Sequence, residues 1–210
     1  HWNLAQLANA IYPVVGNVEP LQEALDEYEE IFARSWSDMV AAKLGLVEHS
    51  SDPSQRVITD LFSILETGEI DMTIFFRSLS SITVGSNTNI DEITALLKSA
   101  YYEPESKPQV HWESLRSWIE HYCDVLRNQG VADEQRREQM NQVNPKYVLR
   151  NYLAQLAIDS AEQGDLSMLY DLEEMLKNPY DDQPEFDKWF VKRPDWAKDR
   201  AGCSMLSCSS

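Results

Sequence analysis

Long apolar runs and closely spaced glycines are both missing from this 210-residue sequence. No uninterrupted apolar stretch approaches the ~20 residues that a membrane-spanning helix requires, and no basic-then-apolar leader opens the chain. The seven glycines never fall within ten residues of one another, whereas a phosphate-binding loop needs close glycines so that backbone N–H groups reach the phosphate oxygens. The sequence therefore predicts a soluble, cytosolic chain without a membrane span or a nucleotide loop.

Positive charge is also scarce. The chain has 18 Lys and Arg against 35 Asp and Glu, which gives a formal net charge of −17. A surface with this balance repels the phosphates of nucleic acids and anionic lipids unless its few cations are strongly clustered. We therefore expect no nucleic-acid partner and no membrane partner.

Cysteine and histidine are few and poorly placed for metal binding. The three cysteines are an odd number, which implies no disulfide framework. His49, His111 and His121 lack the i, i+4 spacing that places two ligands on one helix face. His121 and Cys123 would lie on different faces of a helix. We expect no metal site and no bound cofactor in this chain.

Apolar residues at helical spacing are the main positive feature of the sequence. A chain of 24.2 kDa with 43% hydrophobic residues can bury a sizeable core. The clearest pattern steps by three and four residues and predicts one face of a helix; it consists of Trp112, Leu115, Ile119, Tyr122 and Leu126. Similar patterns predict about nine helices. Only residues 82–84 have the β-branched content of a strand, and nothing beside them alternates to pair with them. The predicted fold is all-α.

Lys146 and Arg150 are unusual in the helix that we predict to start at Asn144–Pro145. They would occupy its first turns, where the helix dipole disfavours each cation by ~0.3–1 kcal/mol. Two interpretations stay open. Either both side chains are simply solvated, or they form ion pairs with an acidic helix or with a missing upstream domain.

Prolines suggest how the chain is divided. Pro104 and Pro108 forbid a continuous helix through this stretch, so we predict a linker between a helical part at residues 1–104 and a second at residues 105–197. The following residues, 198–210, are predicted to form a flexible tail.

Two cysteines lie in this predicted tail. Cys208 is third from the end and surface-placed by default, so its thiolate would be accessible to exchange, and Cys203 lies five residues earlier. From the residues alone they are either two incidental thiols or a redox handle. A thiol oxidoreductase is disfavoured, because no helix N-terminus is available to lower a thiol pKa.

Several segments, taken in order, resemble one known family. The strings are WNLA (2–5), KLGL (43–46), DMTIFFRSL (71–79), NPKYVLRNYLAQ (144–155), GD (164–165), NPY (178–180), PDW (194–196) and SCSS (207–210). The string that starts at Asn144 and the ending are specific, whereas the Leu-Gly-Leu element alone is weak. Along the whole chain these segments resemble the C-terminal part of the selenoprotein O family.

The resemblance implies a protein-kinase-like enzyme that binds ATP in a flipped orientation. Such an enzyme transfers AMP, with Mg²⁺ or Mn²⁺, to Ser, Thr or Tyr hydroxyls of other proteins. In that family the phosphate-binding glycines, the catalytic Asp and the metal ligands precede the position that matches Trp2. Residues 1–104 would then be the helical remnant of the kinase-like large lobe, and residues 105–197 would hold the family-specific C-terminal helices. ATP and the metal are expected in the parent protein and not in this chain.

The resemblance also gives Cys208 an expected role. It matches the position that some members fill with selenocysteine, and the family picture is a redox link to a cysteine of the upstream activation segment. The chain departs from the family's ending by also carrying Cys203. Whether Cys208 closes a local loop with Cys203 instead stays open.

These observations predict a C-terminal fragment of a protein adenylyltransferase. The chain begins at His1 inside an amphipathic pattern and without an initiator Met. The isolated chain is expected to bind no ATP and to transfer no AMP, with the upstream nucleotide-binding half and protein substrates as its partners. The alternative is a stand-alone helical protein-interaction module. A cysteine at position 208 favours a bacterial cytosol, and a eukaryotic member could be mitochondrial.

Overall fold

The structure is a computed structural model that describes residues 1–85 and 88–203. Within these residues the chain forms nine α-helices: α1 (Trp2–Val15), α2 (Glu19–Lys43), α3 (Asp52–Thr67), α4 (Met72–Leu79), α5 (Ile90–Lys98), α6 (Gln109–Gln129), α7 (Asp133–Val143), α8 (Asn151–Glu162) and α9 (Ser167–Lys177). Short 3₁₀-helices span Pro104–Ser106, Pro184–Trp189 and Asp195–Ala197. The described residues form no strand, and a single antiparallel bridge joins Ile70 to Tyr101. The all-α prediction is confirmed.

Residues 1–41 form a compact unit of their own, made of α1 and α2 up to Ala41. No residue of α1 is buried. Large apolar side chains of this unit are exposed, and together we call them the apolar face: Trp2, Leu7, Ile11, Tyr12, Val14, Val15, Val18, Tyr28, Ile31, Phe32, Trp36 and Met39. None of the described helices is both long and apolar enough to cross a membrane.

The second unit begins at Ala42, and α6 lies at the centre of its first core. Helices α3 and α5 pack against α6, and α4 packs against α5. The predicted face of α6 is confirmed, since Leu115, Ile119, Tyr122 and Leu126 are buried. The Trp118 and Tyr122 rings stack with centroids 5.0 Å apart. Their polar atoms are satisfied, because Trp118 Nε1 donates to the Val57 carbonyl at 2.8 Å and the Tyr122 hydroxyl donates to the Leu44 carbonyl at 2.8 Å.

A second buried cluster lies further along the same unit. Helices α8 and α9 pack together, and the segment after α9 adds to their shared core. The cluster contains Tyr147, Tyr152, Leu153, Ala157, Leu172, Met175, Phe186, Ala197 and Cys203. Residues after α9 are therefore part of a core although prolines interrupt their helical pattern.

The sequence favoured no strand at residues 82–84, and none forms there; the backbone N–H of Val84 donates to both carboxylate oxygens of Asp133 at 3.2 Å. The polar stretch after Gly130 forms α7, which buries Arg136 and Met140. Pro104 opens a 3₁₀-helix ahead of α6. The division at residues 104/105 stays a prediction.

Candidate functional site

Residues 144–150, which carry the most specific part of the resemblance, lie outside the helices. The predicted helix start at Asn144–Pro145 is wrong, because α8 begins at Asn151. The backbone N–H groups of Lys146 and Tyr147 both donate to the Pro179 carbonyl, at 2.8 and 3.0 Å. In the first turn of a helix these two N–H groups would have no backbone acceptor within the helix. Here the Pro179 carbonyl, far along the chain, accepts from both. We call this stretch the 144–150 segment.

The segment is anchored at its first residue. Asn144 is buried, and its side-chain amide donates to the Lys43 carbonyl at 2.8 Å. In return the Lys43 ammonium donates to the Asn144 amide oxygen at 3.3 Å and to the Val143 carbonyl at 3.1 Å. Partial burial lowers the pKa of Lys43. These reciprocal hydrogen bonds hold the end of α7 against the end of α2.

Lys146 is enclosed by two carboxylates and two aromatic rings. Its ammonium lies 3.0 Å from Asp182 and 2.7 Å from Asp187, and it also lies over the Tyr147 and Phe190 rings. Burial lowers the pKa of Lys146, but the hydrogen bonds with Asp187 and Asp182 outweigh it, so the pKa lies above its ordinary value. Hydrogen bonding to Lys146 in turn lowers the pKa of both carboxyls.

Arg77 extends this ionic group into the interior. The side chain is buried, and one guanidinium nitrogen donates to the carbonyls of Asn141, Asn144 and Tyr180 at 3.0–3.3 Å. The other terminal nitrogen lies 3.4 Å from Asp182. A buried guanidinium with this many acceptors fixes the backbone of two separate stretches, one at the end of α7 and one at Tyr180.

Arg150 makes the tightest ion pair of the segment. Its guanidinium binds both carboxylate oxygens of Asp71, at 2.5 and 2.9 Å. The Asp71 side chain is only 1% exposed. The same carboxylate accepts from the Ile74 backbone N–H at 3.1 Å, which caps α4, and from the Tyr102 hydroxyl at 3.1 Å.

Lys146 and Arg150 therefore have acidic partners within the chain. Of the two interpretations that were open, the ion-pair one is confirmed, with partners in the 180–187 stretch and at the start of α4 rather than in a missing upstream domain. Sequence reasoning missed Asp71 and Asp182 as partners, because no local spacing connects residues that far apart. The 144–150 segment joins distant parts of the fold through fixed charges and offers no free nucleophile or base.

The cysteines are placed differently from one another. Cys123 is fully buried in α6, and burial raises the pKa of its thiol to about 11. Cys203 is 5% exposed and belongs to the α8/α9 core cluster. Cys203 lies within the stretch 198–210 that is predicted to form a flexible tail, and that prediction stays open. Cys208 lies outside the described residues.

A surface groove runs between α3 and α6. Two depressions of about 480 and 560 Å³ share Asp60 and His121. His121 thus faces the groove while Cys123 faces the core, in agreement with their predicted separation. Across residues 1–85 and 88–203, no three His, Cys, Asp or Glu side chains converge to hold a metal ion.

Comparison with known proteins identifies the family. A family model described as protein adenylyltransferase SelO matches residues 1–177. The chain belongs to the SelO family. The match includes both the apolar face and the 144–150 segment, and the segment after α9 lies beyond it.

Curated relatives in the SelO family agree with this assignment. A protein nucleotidyltransferase YdiU from Rhodopirellula baltica is 45% identical over 217 aligned residues, which cover 100% of this chain and 40% of that protein. Proteins of the same name from Flavobacterium johnsoniae and Aromatoleum aromaticum are 44% and 46% identical over the whole chain. The chain spans about 40% of the length of the curated relatives that it matches.

Proposed function

We propose that this chain is the C-terminal helical part of a nucleotidyltransferase that transfers AMP from ATP to Ser, Thr or Tyr hydroxyls of proteins. The observation that carries the proposal is the SelO family match over residues 1–177. Relatives of the same family are named protein nucleotidyltransferases. In this view residues 1–104 come from a kinase-like large lobe and residues 105–197 are the family's C-terminal helices.

ATP and Mg²⁺ or Mn²⁺ belong, in this proposal, to the part of the protein that the chain does not match. Nucleotide and metal binding need clustered backbone donors or carboxylates. Among the described residues no group of three His, Cys, Asp or Glu side chains could hold a metal ion. We accordingly propose that the isolated chain neither binds ATP nor transfers AMP.

The apolar face of residues 1–41 supports a docking role for this chain. The 41-residue unit exposes twelve large apolar side chains, including Trp2, Phe32 and Trp36, and large exposed apolar patches mark interaction sites. We propose that the nucleotide-binding half of the same protein covers this face.

The C-terminal cysteines would make the parent protein sensitive to redox conditions. Cys208 occupies the position that, by family resemblance, links to an upstream cysteine, and we propose that it forms this link in the parent protein. Cys203 is buried. Its burial favours Cys208 over Cys203 as the reactive thiol. We further propose a bacterial cytosolic location, in keeping with the bacterial relatives.

The test is reconstitution of AMP transfer from two polypeptides. The chain is mixed with the separately produced part of the Rhodopirellula baltica relative that it does not match, and incorporation of labelled AMP into protein is measured. We expect no incorporation with the chain alone and incorporation with the mixture. Phe32→Glu/Trp36→Glu should abolish the gain, whereas the matched control Leu169→Glu/Tyr170→Glu, on exposed residues of α9, should retain it.

Two outcomes would contradict the proposal. Strong AMP incorporation by the purified chain alone would show that the chain contains its own catalytic site. Failure of the two parts to bind, together with binding of the chain to an unrelated protein through the apolar face, would favour the stand-alone interaction module.

A further inference from the structure

The stretch Lys192–Cys203, which we call the strap, crosses from the α8/α9 cluster to the region around the Ile70–Tyr101 bridge. Basic side chains make most of its contacts there. The Arg193 guanidinium lies 3.0 Å from the Glu69 carboxylate, and the Lys198 ammonium lies 3.2 Å from the Glu103 carboxylate. Lys192 donates to the Tyr101 carbonyl. One end of the strap is thus held by charges on residues that are about one hundred positions away.

The other end of the strap is held on α8. The Arg200 guanidinium binds both carboxylate oxygens of Asp159 at 2.7 and 2.9 Å. Gly202 has φ +82°, and a Cβ built there would lie 2.8 Å from the Gln155 amide oxygen. This close left-handed turn places Cys203 in the core cluster beside α8.

Little apolar surface holds the strap in place. Ala197 and Cys203 are its buried apolar residues, both small, and Trp196 is 47% exposed. Burial of small side chains stabilises far less than burial of Leu or Phe. The ion pairs therefore contribute a large share of the docking, and their carboxylates are partly exposed to solvent.

We propose that the strap is a salt-sensitive latch that controls access to the Cys203 thiol. When the strap is docked, the thiol is buried in the α8/α9 cluster. When screening weakens the pairs with Glu69, Glu103 and Asp159, the strap leaves its site and the thiol becomes accessible to solvent. Partly exposed ion pairs are the interactions that salt weakens most.

The experiment measures the rate at which iodoacetamide alkylates Cys203. This reagent is neutral, so salt does not screen its approach. The chain carries Cys123→Ala and Cys208→Ser, which leaves Cys203 as the sole cysteine. Raising NaCl from about 0.01 M to about 1 M shortens the Debye length from ~30 Å to ~3 Å. We expect the alkylation rate to rise about three- to tenfold, as the loss of two or three exposed ion pairs predicts.

Matched variants separate the latch from general salt effects. Glu69→Gln/Glu103→Gln should be alkylated rapidly already at low salt and respond little to added salt. The control Glu134→Gln/Glu174→Gln removes two exposed ion pairs elsewhere, with Arg137 and Lys177, and should behave as the parent. Gly202→Ala, which opposes the turn itself, should be alkylated rapidly at both salt concentrations.

Three results would overturn the latch. One is a rate that does not change with salt. Another is a salt response that persists unchanged in Glu69→Gln/Glu103→Gln. The third is a loss of helical circular dichroism in parallel with alkylation, which would show that the whole chain unfolds and not the strap alone.

Discussion

Arg150 and Asp71 lie 79 residues apart in sequence and form a two-point ion pair that joins the start of α8 to the start of α4. The carboxylate is also the cap of α4 and the acceptor of the Tyr102 hydroxyl. One buried side chain thus connects three parts of the fold. Removal of the Asp71 carboxylate would leave the Arg150 charge without its partner, and a buried charge without a partner is costly.

Asp71→Asn tests this pair. An amide can still cap α4, but it leaves the Arg150 guanidinium without its counter-charge, so we expect the free energy of unfolding to fall by about 3–5 kcal/mol. Urea denaturation measures the change. Asp91→Asn, which removes an exposed partner of Arg116, is the control and should barely alter stability. Equal losses in the two variants would contradict the account.

The loss of folding stability at low pH should depend on Lys146. Asp182 and Asp187 have pKa values below the ordinary 3.8 because they hydrogen-bond to Lys146. Their contribution to stability is therefore fully present above pH 3.8 and is lost as the pH falls through the lower folded-state values. Lys146→Met should be less stable than the parent at neutral pH, with the difference shrinking below about pH 3.8.

Thermal denaturation at several pH values measures this convergence. Lys177→Met, which removes only the exposed pair with Glu174, is the matched control and should show a smaller difference at neutral pH. A Lys146→Met deficit that stays constant down to the lowest pH would show that the ion pairs are not its source.

Alanine substitutions at Gly45 and Gly130 distinguish the cost of a strained backbone from the cost of a crowded side chain. Both have left-handed backbone, with φ +67° and +68°. A Cβ at Gly45 would lie 2.6 Å from Arg136 Cγ, whereas nothing lies within 4 Å of one at Gly130. We expect Gly130→Ala to cost about 1 kcal/mol of stability and Gly45→Ala about 2–4 kcal/mol. Equal losses would mean that Arg136 and Met140 move aside freely.

Cys123 should be inert in the folded chain. Burial raises the pKa of its thiol to about 11, so only about one thiol in a thousand is ionised at pH 8. Alkylation mapped by peptide mass spectrometry should find Cys123 unmodified until urea unfolds the chain. Rapid modification under native conditions would contradict the buried position.

Local patterns predicted the helical elements well, and long-range contacts explain where they failed. The face of α6 follows directly from the spacing of Leu115 and its neighbours. The start of α8 was predicted too early, because the Pro179 carbonyl that accepts from Lys146 and Tyr147 is more than thirty residues away. The burial of Cys203 depends likewise on α8 and α9, which no pattern near the C-terminus indicates.

The most direct test of the account is the size of the native polypeptide. A denaturing immunoblot of source cells, with antiserum raised against this chain, measures it. The account predicts a band well above 24.2 kDa, because the chain spans about 40% of the relatives it matches. A single band at 24.2 kDa would contradict it and would leave the chain as a helical binding module without a catalytic half.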